Sequence, residues 1–118
     1  MKTRSYRNNN PGNLRYGPFC IKRGATGQDD KGFAIFPTAS MGFEALFDLL
    51  RTKTYGRLTL KEAMHRYAPQ HENDTGGYLR YIIGQTGVLE DQVLGSLPPG
   101  KIVRIMAAIT LFEGWDPD

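Results

Sequence analysis

Ile102-Val103-Arg104-Ile105-Met106-Ala107-Ala108-Ile109-Thr110-Leu111-Phe112 is the most apolar stretch of the chain. Ile102, Ile105, Met106, Ile109 and Phe112 recur at the three- and four-residue spacing of one helix face, and Val103, Ala107, Ala108 and Leu111 fill most of the rest. A helix that is apolar nearly all round belongs in a core. The segment therefore predicts a buried central helix against which other elements pack. No apolar run approaches the roughly 20 residues of a membrane span, so membrane insertion is not expected.

Working outward, further helix signals precede it. Thr38 or Ser40 can cap a helix carrying the stripe Phe43, Leu46, Phe47 and Leu50, with Gly56 beyond its end. Thr59-Leu60-Lys61-Glu62 has the pattern of a capping box and opens a helix that must stop before Pro69. Asn73, Asp74 or Thr75 can cap the next, whose face is Tyr78, Leu79, Ile82 and Ile83; Gly84 weakens it and Gly87 ends it. Phe19 and Ile21, then Phe33 and Ile35, alternate around the turn-rich GATGQDDKG, which predicts a β-hairpin over Phe19 to Phe36. Residues up to Gly17 read as loop, punctuated by Asn-Pro and Pro-Gly. The expected fold class is mainly α (α+β), one helical domain over residues 1–118 with a small β-hairpin.

A chain of 118 residues with 40% hydrophobic and 23% charged side chains has the composition of an ordinary globular domain. The single cysteine, Cys20, has no internal disulfide partner and reads as a small core residue rather than a nucleophile. The charge of +3 and pI of 9.1 make the surface mildly basic, and Lys2, Arg4, Arg7, Arg15, Lys22 and Arg23 cluster near the start. That suits a polyanion without choosing among nucleic acid, anionic membrane and acidic cell-wall polymer. No apolar core follows the charged opening MKTRSYRNNN, so no signal peptide is expected.

Three places can carry chemistry. Glu113 follows the apolar helix beside Phe112 and Trp115, a poorly solvated setting. Desolvation keeps a carboxyl proton available near neutral pH, as protonation of a glycosidic oxygen requires. The competing reading is a solvated helix-end glutamate beside a glycine cap. The loop Arg7-Asn8-Asn9-Asn10-Pro11-Gly12-Asn13-Leu14-Arg15 offers amides that both donate and accept, as sugar hydroxyls and N-acetyl groups demand; the same amides could instead close the loop on itself. The polar run Ala68 to Thr75 reads first as a capped helix start, with Glu72 or Asp74 available as a second carboxylate. Metal binding is poorly supported: Glu62 and His65 form one Glu-x-x-His pair where a di-iron site needs two, and Pro69 separates His65 from His71.

Taken together, the Arg7–Arg15 loop, Gly24-Ala25-Thr26-Gly27-Gln28-Asp29 running into Phe33-Ala34-Ile35-Phe36-Pro37-Thr38, and Tyr67-Ala68-Pro69 with Glu72-Asn73-Asp74-Thr75 and Tyr78 resemble small phage and prophage proteins related to lysozyme-like peptidoglycan hydrolases. Glucosaminidases of the lysozyme superfamily carry an Ala-rich helix ending in a catalytic Glu, then an Asn-Leu loop, a β segment and a further helix. Here Asn13-Leu14 and the predicted hairpin follow that order, whereas the piece resembling the Glu helix, Met106 to Trp115, stands at the far end. The resemblance implies a circularly permuted lysozyme-like domain, an arrangement that domains with adjacent termini tolerate. Glu113 is followed directly by Gly-Trp, without the intervening Ser common in those enzymes.

The resemblance further implies a muramidase, glucosaminidase or lytic transglycosylase acting on peptidoglycan glycan strands, with Glu113 as general acid and Glu72 as the second carboxylate. Asn10, Asn13, Arg15, Tyr16, Tyr67, Asp74, Thr75 and Tyr78 are the expected substrate-binding residues. No metal or other cofactor is implied. Peptidoglycan is the expected partner, with other virion proteins as a further class. The site of action would be the cell wall, reached after release or delivery from a phage- or prophage-bearing cell. The rival readings are a non-catalytic virion or cell-wall-binding protein and, least favoured, a basic nucleic-acid-binding module.

Overall fold

A computed structural model of the chain describes residues 2–69 and 73–116. In chain order the elements are α1 (Arg4–Arg7), α2 (Pro18–Lys22), β1 (Gly27–Gln28), β2 (Ala34–Ile35), α3 (Ala39–Leu50), α4 (Lys53–Gly56), α5 (Leu60–Tyr67), α6 (Thr75–Thr86), a turn of 3-10 helix (Leu94–Ser96) and α7 (Pro99–Phe112). The fold is mainly helical with a small two-stranded antiparallel sheet, in which Gly27 faces Ile35 and Gln28 faces Ala34. The chain divides into two units, Met1–Asp48 with Ile109–Asp118, and Leu49–Ala108.

In the first unit the sheet is shorter than the alternation of Phe19, Ile21, Phe33 and Ile35 predicts. Phe19 and Ile21 lie in α2 instead, because Pro18 occupies its first turn, where the fixed φ suits a helix and the missing N–H costs nothing. Arg4–Arg7, expected as loop, forms a helical turn because the Thr3 hydroxyl accepts from the Tyr6 N–H. The turn between the strands is built on Asp29, whose Oδ1 accepts from the N–H groups of Lys31 at 2.9 Å and Phe33 at 3.0 Å. Alongside the hairpin runs Leu14 to Tyr16, with Ala34 N–H donating to the Leu14 carbonyl and Tyr16 N–H to that of Gly32.

The Asn-rich loop lies against α3 at Gly42. A methyl group there would run into the Asn9 carbonyl and come within 2.8 Å of Pro11 Cδ. Gly42→Ala is expected to destabilise the protein by about 1–3 kcal/mol, the usual cost of overpacking against fixed backbone. Thermal unfolding checks this; an unchanged midpoint would show that the loop yields.

The second unit follows the sequence signals closely. Thr59 and Glu62 close a reciprocal capping box at the start of α5. Asp74 caps α6 by accepting from Gly77 N–H, and Gly87 ends it at φ +73°. Leu60, Ala63, Met64, Tyr78, Leu79, Ile82 and Leu94 are among its buried side chains. His65 places Nδ1 on the Lys61 carbonyl at 2.9 Å, a contact within its own helix.

One expectation about α7 is corrected. Ile102, Ile105, Ala108 and Ile109 are buried, but Val103 is 45% and Leu111 58% exposed, so the helix is not enclosed all round. An apolar composition fixes which side chains can be buried; it does not supply neighbours on every side. Among the described residues no helix is long and apolar enough to cross a membrane.

Candidate functional site

The end of α7 is closed by a Schellman motif. Trp115 N–H donates to the Thr110 carbonyl and Gly114 N–H to that of Leu111, with Gly114 at φ +83°. This fixes the main chain on both sides of Glu113, which is half-buried. Two residues of α1 and its cap hold the same turn: Thr3 donates its hydroxyl to the Gly114 carbonyl at 2.8 Å, and buried Ser5 donates to that of Glu113 at 3.3 Å. Trp115 packs its ring against Tyr6 and Phe43, with centroids 5.2 and 5.1 Å away.

Onto this turn comes Asn13. Its Nδ2 donates to Glu113 Oε1 at 2.9 Å, joining residues 100 positions apart in sequence. Asn13 has φ +49° and Asn9 φ +52°, a left-handed conformation that asparagine tolerates better than most residues. The two reversals aim the four amides of the loop differently. Asn8 Nδ2 donates to Asp29 Oδ2 at 2.9 Å, and Asn9 Nδ2 to the Phe36 carbonyl at 3.0 Å. Asn10 is 0% exposed: Nδ2 donates to the carbonyls of Leu14 and Ala34, and Oδ1 accepts from Leu14 N–H.

Asn10 therefore differs from its expected place among the sugar-binding residues. Its amide is enclosed and committed to holding the loop. Thr75 and Tyr78, expected as substrate contacts in the second unit, are also fully buried, and the Thr75 hydroxyl donates to the Ala68 carbonyl. A side chain without surface cannot meet a polymer, and each of these instead satisfies its own fold. Tyr67 sets its ring edge-on to Tyr78, and exposed Asp74 serves as the α6 cap. Glu72 lies outside the described residues.

Arg15 is exposed; its Nη1 donates to the Lys31 carbonyl at 2.9 Å and its guanidinium lies 4.3 Å from the centre of the Phe33 ring. Arg4 also lies over Phe33, at 4.9 Å, while its Nε meets Asp29 Oδ2 at 3.0 Å. Tyr16 is half-buried. Cys20 is buried, and its thiol donates to the Arg15 carbonyl. Burial pushes that thiol up to about 11, against the opposing pull of Arg23, so it is not a nucleophile at neutral pH.

Asp29 ties this frame together, a role that no pattern in the sequence separated from an ordinary turn acid. Burial alone would raise its carboxyl. The bonds from Asn8, Phe33 and Lys31 and the charge of Arg4 outweigh burial and hold it at about 2, below the usual 3.8. A carboxylate whose folded value is depressed stabilises the fold fully above its unfolded value, and that contribution is lost as pH falls through the folded one. The melting temperature should therefore drop between about pH 4 and pH 2. Asp29→Asn should flatten that part of the profile; an identical profile in both proteins would assign the loss to other acids.

Protein P5 of Pseudoalteromonas phage PM2 is 33% identical to this chain over 122 aligned positions, which take in 97% of the chain and 73% of P5. The chain belongs to the P5 family. A phage protein is thus among its relatives, and no family model matches the chain. Seen on a P5-family chain, the Asn-rich loop and the end of α7 form one hydrogen-bonded constellation: a carboxyl group, an amide fixed on it, and an aromatic cluster around Trp115.

Proposed function

We propose that the protein cleaves the β-1,4 glycan strands of peptidoglycan, with Glu113 as the general acid. The observation that carries this reading is the 2.9 Å bond from Asn13 Nδ2 to Glu113 Oε1. It joins the two segments that resemble neighbouring parts of a lysozyme-like site, although they lie at opposite ends of the chain. The Thr3 to Gly114 bond agrees with this reading, because it sets the start of α1 against the turn that carries Glu113.

The chemistry needs one proton donor. The O–H bond of the carboxylic acid breaks as the glycosidic oxygen takes the proton, and the C1–O bond electrons leave with that oxygen. The oxocarbenium ion is then captured by water, whose proton returns to Glu113, or by the sugar's own hydroxyl with the same return. The first route is hydrolysis and the second transglycosylation. Hydrolysis also calls for a group to activate water or stabilise the cation. Delivery to the wall would follow from a phage setting, which the P5 relative supports.

Release of dye from covalently labelled, purified sacculi tests the reading. Soluble labelled fragments are expected with the wild-type protein. Binding to sacculi without release would instead favour a non-catalytic wall-binding protein of the same family.

A further inference from the structure

The two ends of the Asn13 amide have unequal surroundings. Nδ2 donates to Glu113 Oε1, whereas Oδ1 is buried and meets no donor among the described residues. Asn8, Asn9 and Asn10 turn their amides onto the hairpin and the loop itself. Asn13 turns its amide onto the carboxyl and forgoes a bond to its own oxygen, from a left-handed backbone position. An unsatisfied buried carbonyl is costly, and such costs collect where geometry serves function.

A carboxylic acid has two different oxygens: the carbonyl oxygen accepts a hydrogen bond, and the hydroxyl oxygen carries the proton to be given away. We propose that Asn13 is a positioning residue that decides which is which. An N–H directed at Oε1 makes Oε1 the carbonyl oxygen, so the transferable proton resides on Oε2. This rests on the glycan-cleavage reading. When the Oε2–H bond breaks and the leaving oxygen takes the proton, Oε2 keeps the electron pair. The new carboxylate charge meets a donor already in place on Oε1. No side chain has to rotate during the step. The reversed amide would set Oδ1 against Oε1, draw the proton there and turn it away from the substrate.

Asn13→Gly removes the amide and keeps the left-handed backbone, and Asn13→Asp keeps the shape but replaces the donor with an acceptor. With soluble uncrosslinked glycan strands as substrate, both should lower kcat by about ten- to a hundred-fold, the loss of a charge-assisted hydrogen bond, with KM unchanged. A raised KM at unchanged kcat would make Asn13 a sugar-binding residue and overturn the proposal, as would wild-type values in both variants. NMR of the Asn13 side-chain amide gives a readout that needs no turnover. Its proton signals should move when Glu113→Ala removes the acceptor, and unmoved signals would overturn the contact. Intact strands with wild type, together with a moved amide signal, would instead overturn the cleavage reading and the assignment of proton placement with it.

Discussion

Glu113→Gln should lower the rate of glycan-strand cleavage by about 10²–10⁴-fold, the contribution of a positioned general acid. The substitution is close to isosteric, and the glutamine carbonyl can still accept from Asn13 Nδ2. What disappears is the proton. The fold should be spared, because the helix end is held by main-chain bonds from Gly114 and Trp115 and by the hydroxyls of Thr3 and Ser5 on backbone carbonyls. Melting temperatures of the two proteins should therefore nearly coincide, the expected stability change lying within about 0.5 kcal/mol. Initial rates on labelled sacculi provide the check. Equal rates would remove Glu113 from the mechanism.

The second large effect is on stability. Asn10→Ala should destabilise the protein by about 3 kcal/mol, because it leaves buried backbone groups without partners. Leu14 N–H loses its acceptor, and the carbonyls of Leu14 and Ala34 lose the Nδ2 donor. Ala34 N–H still reaches the Leu14 carbonyl, which limits the damage at that oxygen. For a chain of this size the loss corresponds to a melting temperature lower by about 10 °C. A small shift would mean that water enters and replaces the amide. Activity in this variant should fall only as far as the loop carrying Asn13 is displaced.

These two asparagines show what sequence can and cannot say. The loop offers four amides of one chemical kind, Asn8, Asn9, Asn10 and Asn13. Which of them is enclosed depends on the left-handed turns at Asn9 and Asn13, and composition carries no trace of that choice. Local signals fared better. The Thr59–Glu62 capping box, the Asp74 cap and the Gly87 stop all lie within a few residues of what they control, and each is legible in the sequence. The Phe19–Ile21 alternation misleads because two apolar residues are too few to establish a strand period, and Pro18 opens a helical turn there. The role of Asp29 is not legible in the sequence, because its partners Asn8 and Arg4 lie more than 20 positions away. Glu113 and Asn13 were paired through a family resemblance; neither residue's own neighbours in sequence point to the other.

Mass spectrometry of the material released when purified protein is incubated with purified sacculi is the most direct measurement of all. Cleavage of glycan strands with Glu113 as the acid predicts soluble disaccharide-peptide fragments, ending in a reducing sugar after hydrolysis or in an anhydro sugar after transglycosylation. Sacculi that stay intact in the presence of folded protein would contradict it, and so would the same fragments released at the same rate by Glu113→Gln.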